Sequence, residues 1–329
     1  MTVGNMGQRQ RVLFLPNPKL RDPWQPDIVA AVGARHDLKI FDPGSPLEPQ
    51  FAGVEVVLDF GGAMGTRAMA DVAQSVKLWQ ILGTGFDHFD LAYWQKKKIP
   101  VANCPGEFTA LPLAECALLF MLLLARRWSE AQHHLRSGSM CLPCGKELAG
   151  QSLALLGFGS SARELAIRAG AFGMKISAID IRDIPQAEQE KFGLEFAGKP
   201  SDLDQLLSSS DYISLHLHLN EETRHLIGRK QLRKMKPTAC LINVARGGLV
   251  DEKELYLALT EKRIAGAGLD VFSDEPVDPD NPLLSLPNVV ATPHIAGVTE
   301  ETSRRRAACA AENIDRVSDG LEFLHRIDR

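Results

Sequence analysis

From residue 11 onward, short apolar segments of the chain alternate with longer segments in which apolar residues recur every three or four positions. Short apolar runs bounded by glycine and polar residues are typical of buried strands, and their alternation with helices is typical of parallel β-α units. In the first third of the chain this pattern predicts strands at residues 12–15, 38–41, 54–58, 78–82 and 99–102. It predicts helices at residues 27–34, 68–75 and 90–98.

The same alternation resumes after a long apolar helix that is predicted at residues 113–136. The pattern then predicts a six- or seven-stranded doubly wound parallel sheet, followed by a charged amphipathic helix that could return to the first domain. Its strands are expected at residues 151–156, 175–180, 212–215, 240–243, 266–270 and 289–291, with a polar segment after residue 180, and its helices at 203–208, 229–235, 251–261 and 300–318.

A glycine turn follows the first strand of this second series. Gly157 permits a tight turn, Gly159 allows the backbone to approach a pyrophosphate at the helix N-terminus, and Ala162 takes the third position, where a small residue packs helix against strand. The next strand ends in Asp180, about 20 residues further on, where an acid binds a ribose hydroxyl. This spacing indicates a dinucleotide site, the alternative being a strand-turn-helix without a ligand.

Asp180 favours NADH over NADPH, although Arg182 lies close enough to meet a 2′-phosphate.

Length and composition narrow the classes of function. A chain of 329 residues is long enough for two domains, and ligand sites favour the cleft between domains. The net charge of -4, without a basic tract, gives no reason to expect nucleic acid or a membrane surface. Residues 1–11 lack the apolar core of a secretory signal, and the apolar run at 111–125 is shorter than the roughly 20 residues of a membrane span. The sequence therefore predicts a cytoplasmic protein with a small-molecule ligand.

Six cysteines are scattered along the chain, and only Cys141 and Cys144 are closely spaced. This pair could be half a zinc site or a redox pair, but no second pair with metal-ligand spacing accompanies it. His216 and His218 also lack a third ligand at an obvious spacing. We expect no metal, and we expect both histidines to have structural or cofactor-packing roles.

Two glycine-rich turns follow predicted strands of the first domain, at residues 60–63 and 83–85. Open α/β sheets bind ligands at the carboxyl ends of their strands, so Gly61, Gly62 and Gly85 are candidate substrate-binding residues. We expect them to face Arg246 across the cleft. Turns that need glycine only for backbone conformation are the alternative.

Three polar residues come just after successive strands of the second domain. Arg246 follows the strand at 240–243, and its planar guanidinium suits a carboxylate. His294 follows the strand at 289–291 and can exchange a proton near neutral pH, while a carboxylate such as Glu275 can orient its ring and stabilise the charged form. The expected common edge of these strands indicates a site that reduces a 2-oxo acid, with Arg246, Glu275 and His294 catalytic and with Arg246 and His294 also contacting substrate.

Longer sequence motifs resemble those of one protein family. The segments 211–216, 222–224, 241–251, 268–276 and 292–295 resemble the D-isomer-specific 2-hydroxyacid dehydrogenase family, and 83–87, 103–106 and 113–115 resemble its first domain and connecting helix. The resemblance implies two Rossmann-like doubly wound α/β domains, with an NAD domain at 107–297 inserted into a catalytic domain formed by 1–106 and 298–329. It also implies a homodimer that pairs through the long helix region. Asp270 would face the nicotinamide carboxamide.

The predicted cofactor is NAD, and the predicted substrate is a small 2-oxo or 2-hydroxy acid. The predicted cofactor-binding residues lie after strand ends and on the connecting helix: Leu113, Gly157, Phe158, Gly159, Ser160, Ser161, Asp180, Ile181, His216, Leu217, Thr223, Val244, Ala245 and Asp270. A second hypothesis is an NAD(H)-dependent binding protein with little turnover, similar to the C-terminal-binding corepressors, which keep Arg246, Glu275 and His294.

The chain departs from the family pattern at four places. Ser161 and Ala162 replace an isoleucine and the third glycine, and His218 stands where proline is common. Residues 60–62 replace the polar substrate loop of some members, so their substrates do not carry over to this chain. Met140 stands where many members have a tryptophan that reaches toward the partner subunit.

Overall fold

The computed structural model of the protein describes residues 8–17, 24–62 and 64–329. The predictions for Ala63 and for residues 1–7 of the N-terminal segment lie outside the described residues. The chain divides into two compact units. Unit 1 comprises Met1–Phe108 with Thr299–Arg329, and unit 2 comprises Thr109–Val298.

Unit 1 has, among its described residues, a five-stranded parallel sheet in the order β2-β1-β3-β4-β5. The strands are β1 (Arg11–Leu15), β2 (Asp37–Ile40), β3 (Val56–Asp59), β4 (Leu78–Ile81) and β5 (Val101–Ala102). The helices are α1 (Trp24–Gly33), α2 (Leu47–Phe51), α3 (Arg67–Val72) and α4 (Leu91–Lys97). The buried core includes Trp79 and Trp94, whose rings meet edge to face with centroids 5.1 Å apart.

The C-terminal segment completes unit 1. Its helix, α12 (Glu300–Ser318), begins and ends where the apolar pattern predicts. Asn313 of α12 donates a buried 2.6 Å hydrogen bond to Gln80 of β4, and Asp315 lies 2.9 Å from the ring of the buried His36. These contacts account for the return of the helix to the first domain.

Unit 2 has a seven-stranded parallel sheet in the order β12-β11-β10-β9-β6-β7-β8, in a part of the chain that is described throughout. Its strands are β6 (Ser152–Leu156), β7 (Lys175–Ile179), β8 (Leu194–Gly198), β9 (Tyr212–Leu215), β10 (Cys240–Asn243), β11 (Gly266–Leu269) and β12 (Val289–Ala291). The order reverses at β6 and β9, and helices pack on the sheet, as expected for a doubly wound fold. The helices are α5 (Glu107–Ala125, whose first two residues belong to unit 1), α6 (Trp128–Arg136), α7 (Ser160–Ala171), α8 (Gln186–Phe192), α9 (Leu203–Ser209), α10 (Arg229–Leu232) and α11 (Glu252–Thr260).

The prediction of one long helix at 113–136 is wrong. Two helices occupy this region, because Arg127 adopts a left-handed backbone conformation, with φ of 50°, between α5 and α6. The first helix also begins earlier than predicted, at Glu107, and includes Pro112. Proline has no N–H to donate to the carbonyl of Phe108 four residues earlier, and that carbonyl accepts from Arg305 at 2.8 Å instead. The apolar periodicity runs across the break and therefore does not reveal it.

The segment after Asp180 is polar as predicted, but it contains a helix and a strand, α8 and β8, that were not predicted. No residue of α8 is fully buried, and β8 is an edge strand whose residues are all partly exposed, so neither element carries the apolar pattern of a core segment. The predicted helix at 229–235 is shorter, Arg229–Leu232, and α2 was not predicted.

Among the described residues, α5 is the one helix long and apolar enough to cross a membrane by length and composition. One face of the helix is buried in the core of unit 2. Phe120 packs so close to Gly268 of β11 that a β-carbon added to Gly268 would lie 2.6 Å from the Phe120 side chain. Packing on the sheet therefore accounts for much of its apolar composition.

Candidate active site

The glycine turn after β6 has the conformation that its sequence predicts. Gly157 has a positive φ of 86°, and a β-carbon there would lie 2.5 Å from the carbonyl oxygen of His216, so only glycine fits. Gly159 precedes the first turn of α7, and a β-carbon on it would meet nothing within 4 Å. Ala162 is fully buried against the sheet. The open space at Gly159, beside the N-terminus of a 12-residue helix, fits a pyrophosphate.

Asp180 follows β7 and closes this turn. Its carboxylate accepts hydrogen bonds from the backbone N–H of Phe158 at 2.6 Å and from that of Arg182 at 2.9 Å. The side chain remains 13% exposed, so part of it is accessible to a ribose hydroxyl. The neighbouring Ile181 is exposed.

His216 lies at the end of β9 and bridges two serines. Its Nδ1 is 2.9 Å from the hydroxyl of Ser161, and its Nε2 is 2.9 Å from that of Ser214. Burial lowers the pKa of His216 to about 3, so the ring is neutral at physiological pH. A neutral ring with both nitrogens in hydrogen bonds suits a structural role. Ser161 was predicted as a cofactor-binding residue, but its hydrogen bond to His216 and that of Ser214 were not predicted, because hydroxyl pairs of this kind have no sequence signature.

The remaining predicted cofactor residues lie on nearby loops of unit 2. Thr223 donates to the carbonyl of His218 at 2.7 Å and fixes the loop after β9. The other residues follow strands, begin α7 or lie on α5: Ser160, Leu217, Val244, Ala245 and Leu113. Leu113 is close to Gly297, since a β-carbon added to Gly297 would lie 3.4 Å from the Leu113 side chain.

Arg246 follows β10 and is held by the loop around it. Its Nη1 donates to the carbonyl of Ala245 at 2.8 Å, and its own carbonyl accepts from Asn243 at 2.9 Å. The next residue, Gly247, packs against the backbone of Phe272, where a β-carbon would lie 1.9 Å from the carbonyl carbon. Glycine at 247 therefore lets the Arg246 loop approach the loop that leads to Glu275.

Glu275 and His294 form a direct pair, with 2.6 Å between Glu275 Oε2 and His294 Nδ1. Glu275 also accepts from the backbone N–H of Phe272 at 3.0 Å. Burial raises the pKa of Glu275, but the hydrogen bond and charge of His294, with the charge of Arg246, outweigh burial and leave that pKa below its usual value. The carboxylate is therefore ionised at neutral pH.

Asp270 sets the position of His294. This carboxylate is buried at the end of β11 and accepts from Thr292 at 2.6 Å, from the N–H of Ile295 at 2.8 Å and from that of Ala296 at 2.9 Å. His294 itself has a left-handed φ of 56° and donates its N–H to the carbonyl of Asp270 at 2.7 Å. These contacts hold a strained loop in one conformation. The family resemblance implies that Asp270 faces the nicotinamide, but it does not indicate this supporting role.

The predicted substrate glycines lie in unit 1. Gly61 and Gly62 have positive φ values of 70° and 72°, and Gly85 follows β4 in a loop. The turn after β3 is held by Asp59, a fully buried carboxylate that accepts from Trp79 Nε1 at 3.0 Å and from the N–H groups of Met64 and Gly65 at 3.2 and 3.0 Å. The sequence did not predict a role for Asp59, because an acidic residue at the end of a strand does not reveal which groups will donate hydrogen bonds to it.

The cysteines form no disulfide, and all six are free. Within the described part of the chain, no group of three His, Cys, Asp or Glu side chains is arranged to hold a metal ion. Cys141 and Cys144 are both exposed on the loop after α6.

The chain matches known proteins over much of its length. Residues 118–296 match the family model described as D-isomer specific 2-hydroxyacid dehydrogenase, NAD binding domain. A glyoxylate reductase of Korarchaeum cryptofilum is 40% identical over 250 residues, which are 74% of this chain and 74% of that protein. The crystal structure of D-lactate dehydrogenase from Aquifex aeolicus with NAD and lactic acid has a TM-score of 0.80 and 29% identity, covering 94% of this chain and 96% of that one. An NADPH-dependent glyoxylate/hydroxypyruvate reductase from Sinorhizobium meliloti, in complex with NADP and malonate, has a TM-score of 0.82 and 26% identity and covers 97% of both chains.

Proposed function

Because the chain belongs to the D-isomer-specific 2-hydroxyacid dehydrogenase family, we propose that Arg246, Glu275 and His294 are its catalytic residues. The protein is an oxidoreductase that uses a nicotinamide dinucleotide to interconvert small 2-oxo and 2-hydroxy acids. The observation that carries the assignment of residues is the 2.6 Å contact between Glu275 and His294, next to a loop that carries Arg246.

In this assignment Arg246 binds the carboxylate of the substrate. A guanidinium offers paired donors that match a carboxylate, and such charge-assisted pairs orient the ligand as well as attract it. The backbone contacts at Ala245 and Asn243 hold the base of the side chain, which supports a fixed position for the positive charge.

His294 exchanges the proton on the substrate oxygen. Its Nδ1 is engaged by Glu275, which leaves Nε2 to give a proton during reduction of the ketone and to take it back during oxidation. The ionised Glu275 stabilises the charged imidazolium and fixes the ring orientation.

The turn at Gly157 and Gly159 and the acid at Asp180 fit a dinucleotide, on the geometry of the turn itself. When bound, the reduced nicotinamide supplies the hydride. We propose that Gly157, Gly159 and Asp180 hold the cofactor with the other predicted residues after the strands of unit 2. The carboxylate of Asp180 supports a preference for NADH, since it accepts from a ribose diol and repels a 2′-phosphate.

We further propose that the backbone N–H groups of Gly61, Gly62 and Gly85 bind the substrate carboxylate. Gly61 and Gly62 have positive φ values, and none of the three residues has a side chain, which supports close approach of a ligand. A homodimer in the cytoplasm is also proposed. Exposed large apolar residues on α5, α6 and the loop after them support an apolar interface: Leu111, Leu119, Trp128, Leu135, Met140 and Leu142.

Turnover with a panel of 2-oxo acids tests the function. We expect the purified protein to oxidise NADH in the presence of at least one of glyoxylate, hydroxypyruvate and pyruvate, and we expect the Arg246→Gln variant to raise KM strongly. Tight NADH binding with negligible turnover across the panel would instead favour the corepressor-like alternative, which the named relatives do not support.

A further inference from the structure

Near Asp180, two arginines are held by a single glutamate. Glu188, in the first turn of α8, forms two parallel hydrogen bonds with Arg182, at 2.8 and 3.0 Å. The same carboxylate lies 2.6 Å from Nη2 of Arg163 on α7. We call these three residues the Glu188 clamp. Both arginines come close to the dinucleotide turn, because Arg182 donates to the carbonyl of Phe158 at 2.7 Å and Arg163 stacks over the Phe158 ring at 5.8 Å.

The clamp is only partly open to solvent. The side chain of Glu188 is 17% exposed, and Arg182 lowers the pKa of its carboxyl, so it is ionised throughout the neutral range. The Nε of Arg163 is buried and makes no hydrogen bond within the described part of the chain. An adjacent surface cavity of about 390 Å³ is lined by Arg163 and Glu188 together with Lys191. Glu188 therefore offsets most of the positive charge of this cluster, together with Asp180, whose carboxylate lies 4.0 Å from Arg182 Nε.

These charges bear on the choice of cofactor. NADPH differs from NADH by a phosphate on the ribose hydroxyl, and in this fold an arginine near the acid after the second strand accommodates that phosphate. Arg182 has the right position in the chain for this role, but its guanidinium donors are directed to Glu188 and to the carbonyl of Phe158. A phosphate would have to break these bonds and would also meet the negative charge of Glu188.

On the basis of the proposed function, we propose that Glu188 is a specificity-determining residue: by holding Arg182 and Arg163, the Glu188 clamp keeps the site selective for NADH over NADPH. Asp180 discriminates by contact with the ribose. Glu188 acts indirectly, because its contacts hold the arginines that would otherwise bind the phosphate.

The test measures dissociation constants for NADH and NADPH by fluorescence titration, without turnover. Glu188→Gln removes the negative charge, and we expect it to tighten NADPH binding by roughly tenfold or more while NADH changes by less than about twofold. Glu188→Asp keeps the charge and should leave NADPH weak. Glu190→Gln is the matched control, because Glu190 lies on the same helix, is exposed and hydrogen-bonds to Gln186 rather than to an arginine.

A double variant identifies the phosphate ligand. Adding Arg182→Gln to Glu188→Gln should return NADPH affinity to the wild-type value. An unchanged ratio of NADPH to NADH affinity in Glu188→Gln overturns the inference, and so does a wild-type protein that binds both cofactors equally. If the wild-type protein binds neither cofactor, the proposed function itself is wrong.

Discussion

The hydrogen bond between Glu275 and His294 Nδ1 determines which nitrogen of the histidine is left for proton transfer. We predict that His294→Asn lowers kcat by about 10²–10⁴-fold, the usual effect of losing a general acid, with little change in NADH affinity. Stopped-flow turnover and NADH titration measure both quantities. His225→Asn is the control, since His225 is exposed and its left-handed backbone, with φ of 52°, suits asparagine. Near-normal turnover of His294→Asn would make His216 or His218 the next residue to test.

Replacing Glu275 with Gln should change the pH dependence as well as the rate. The carboxylate stabilises the protonated histidine, which is the form needed for reduction, so reduction should hold at low pH and fall at high pH. We predict that Glu275→Gln moves this fall to lower pH, and that the rise of oxidation with pH moves in the same direction. A profile of kcat against pH that stays in place would exclude the proposed role of Glu275.

His216 predicts a dependence of stability on pH. Burial lowers its pKa in the folded protein to about 3, from 6.5 when unperturbed. For such a group, the stabilisation is fully present above pH 6.5 and is lost as the pH falls toward 3, because the unfolded state takes up the proton first. The free energy of unfolding of the wild type, relative to His216→Asn, should therefore fall by up to about 1.4 kcal/mol per pH unit in this window. Urea unfolding at several pH values measures it, and an equal dependence in both proteins would contradict the assignment.

At the scale of elements, the loop after β10 depends on one glycine. We predict that Gly247→Ala destabilises the protein by about 1–3 kcal/mol and lowers activity, because the added carbon would overlap the backbone of Phe272 and displace the Arg246 loop. Gly170→Ala, near the end of α7, is the matched control, since a β-carbon there meets nothing within 4 Å. That substitution should stabilise by about 0.5–1 kcal/mol. Urea unfolding and turnover of both variants provide the comparison.

The turn after β3 depends on Asp59 in a similar way. Asp59→Ala would leave Trp79 Nε1 and the N–H groups of Met64 and Gly65 without their acceptor, and each such loss costs about 1–3 kcal/mol. We predict faster hydrogen exchange at Met64 and Gly65 and a raised KM for the 2-oxo acid. Asp42→Ala is the control, because Asp42 accepts similar turn hydrogen bonds on an exposed loop. Unchanged exchange at Met64 and Gly65 would show that the turn does not need the carboxylate.

For the whole molecule, the exposed apolar residues of α5 and α6 predict self-association. Leu119 is 47% exposed and Leu135 is 70% exposed, which favours burial in a dimer. Light scattering should give twice the mass of 36.1 kDa for the wild type and the monomer mass for a Leu119→Arg/Leu135→Arg variant. Ile167→Arg, at an exposed position of α7, should leave the dimer intact. A monomeric wild type would rule out the proposed homodimer.

The apolar pattern along the chain was enough to predict the fold class and most elements of the core. In buried strands, and in helices with one buried face, the apolar positions along the sequence follow the burial of the side chains. For this reason β9, β10, β12 and α12 begin and end where predicted. The glycine turn was predicted for a related reason, since Gly157 is required by backbone conformation alone. The resemblance of long motifs predicted the family, which the comparisons confirm.

Features that depend on neighbours distant in sequence are set by packing and did not follow from the pattern. The break at Arg127 and the partly exposed α8 and β8 leave no apolar signature, because a backbone conformation or an edge position does not change the periodicity. The same holds for side-chain partners. The sequence placed Arg182 near a possible phosphate, but only the packing of α8 brings Glu188 within hydrogen-bonding distance of Arg182. A hydrogen bond is set by distances and angles between folded elements, and a linear pattern does not contain them.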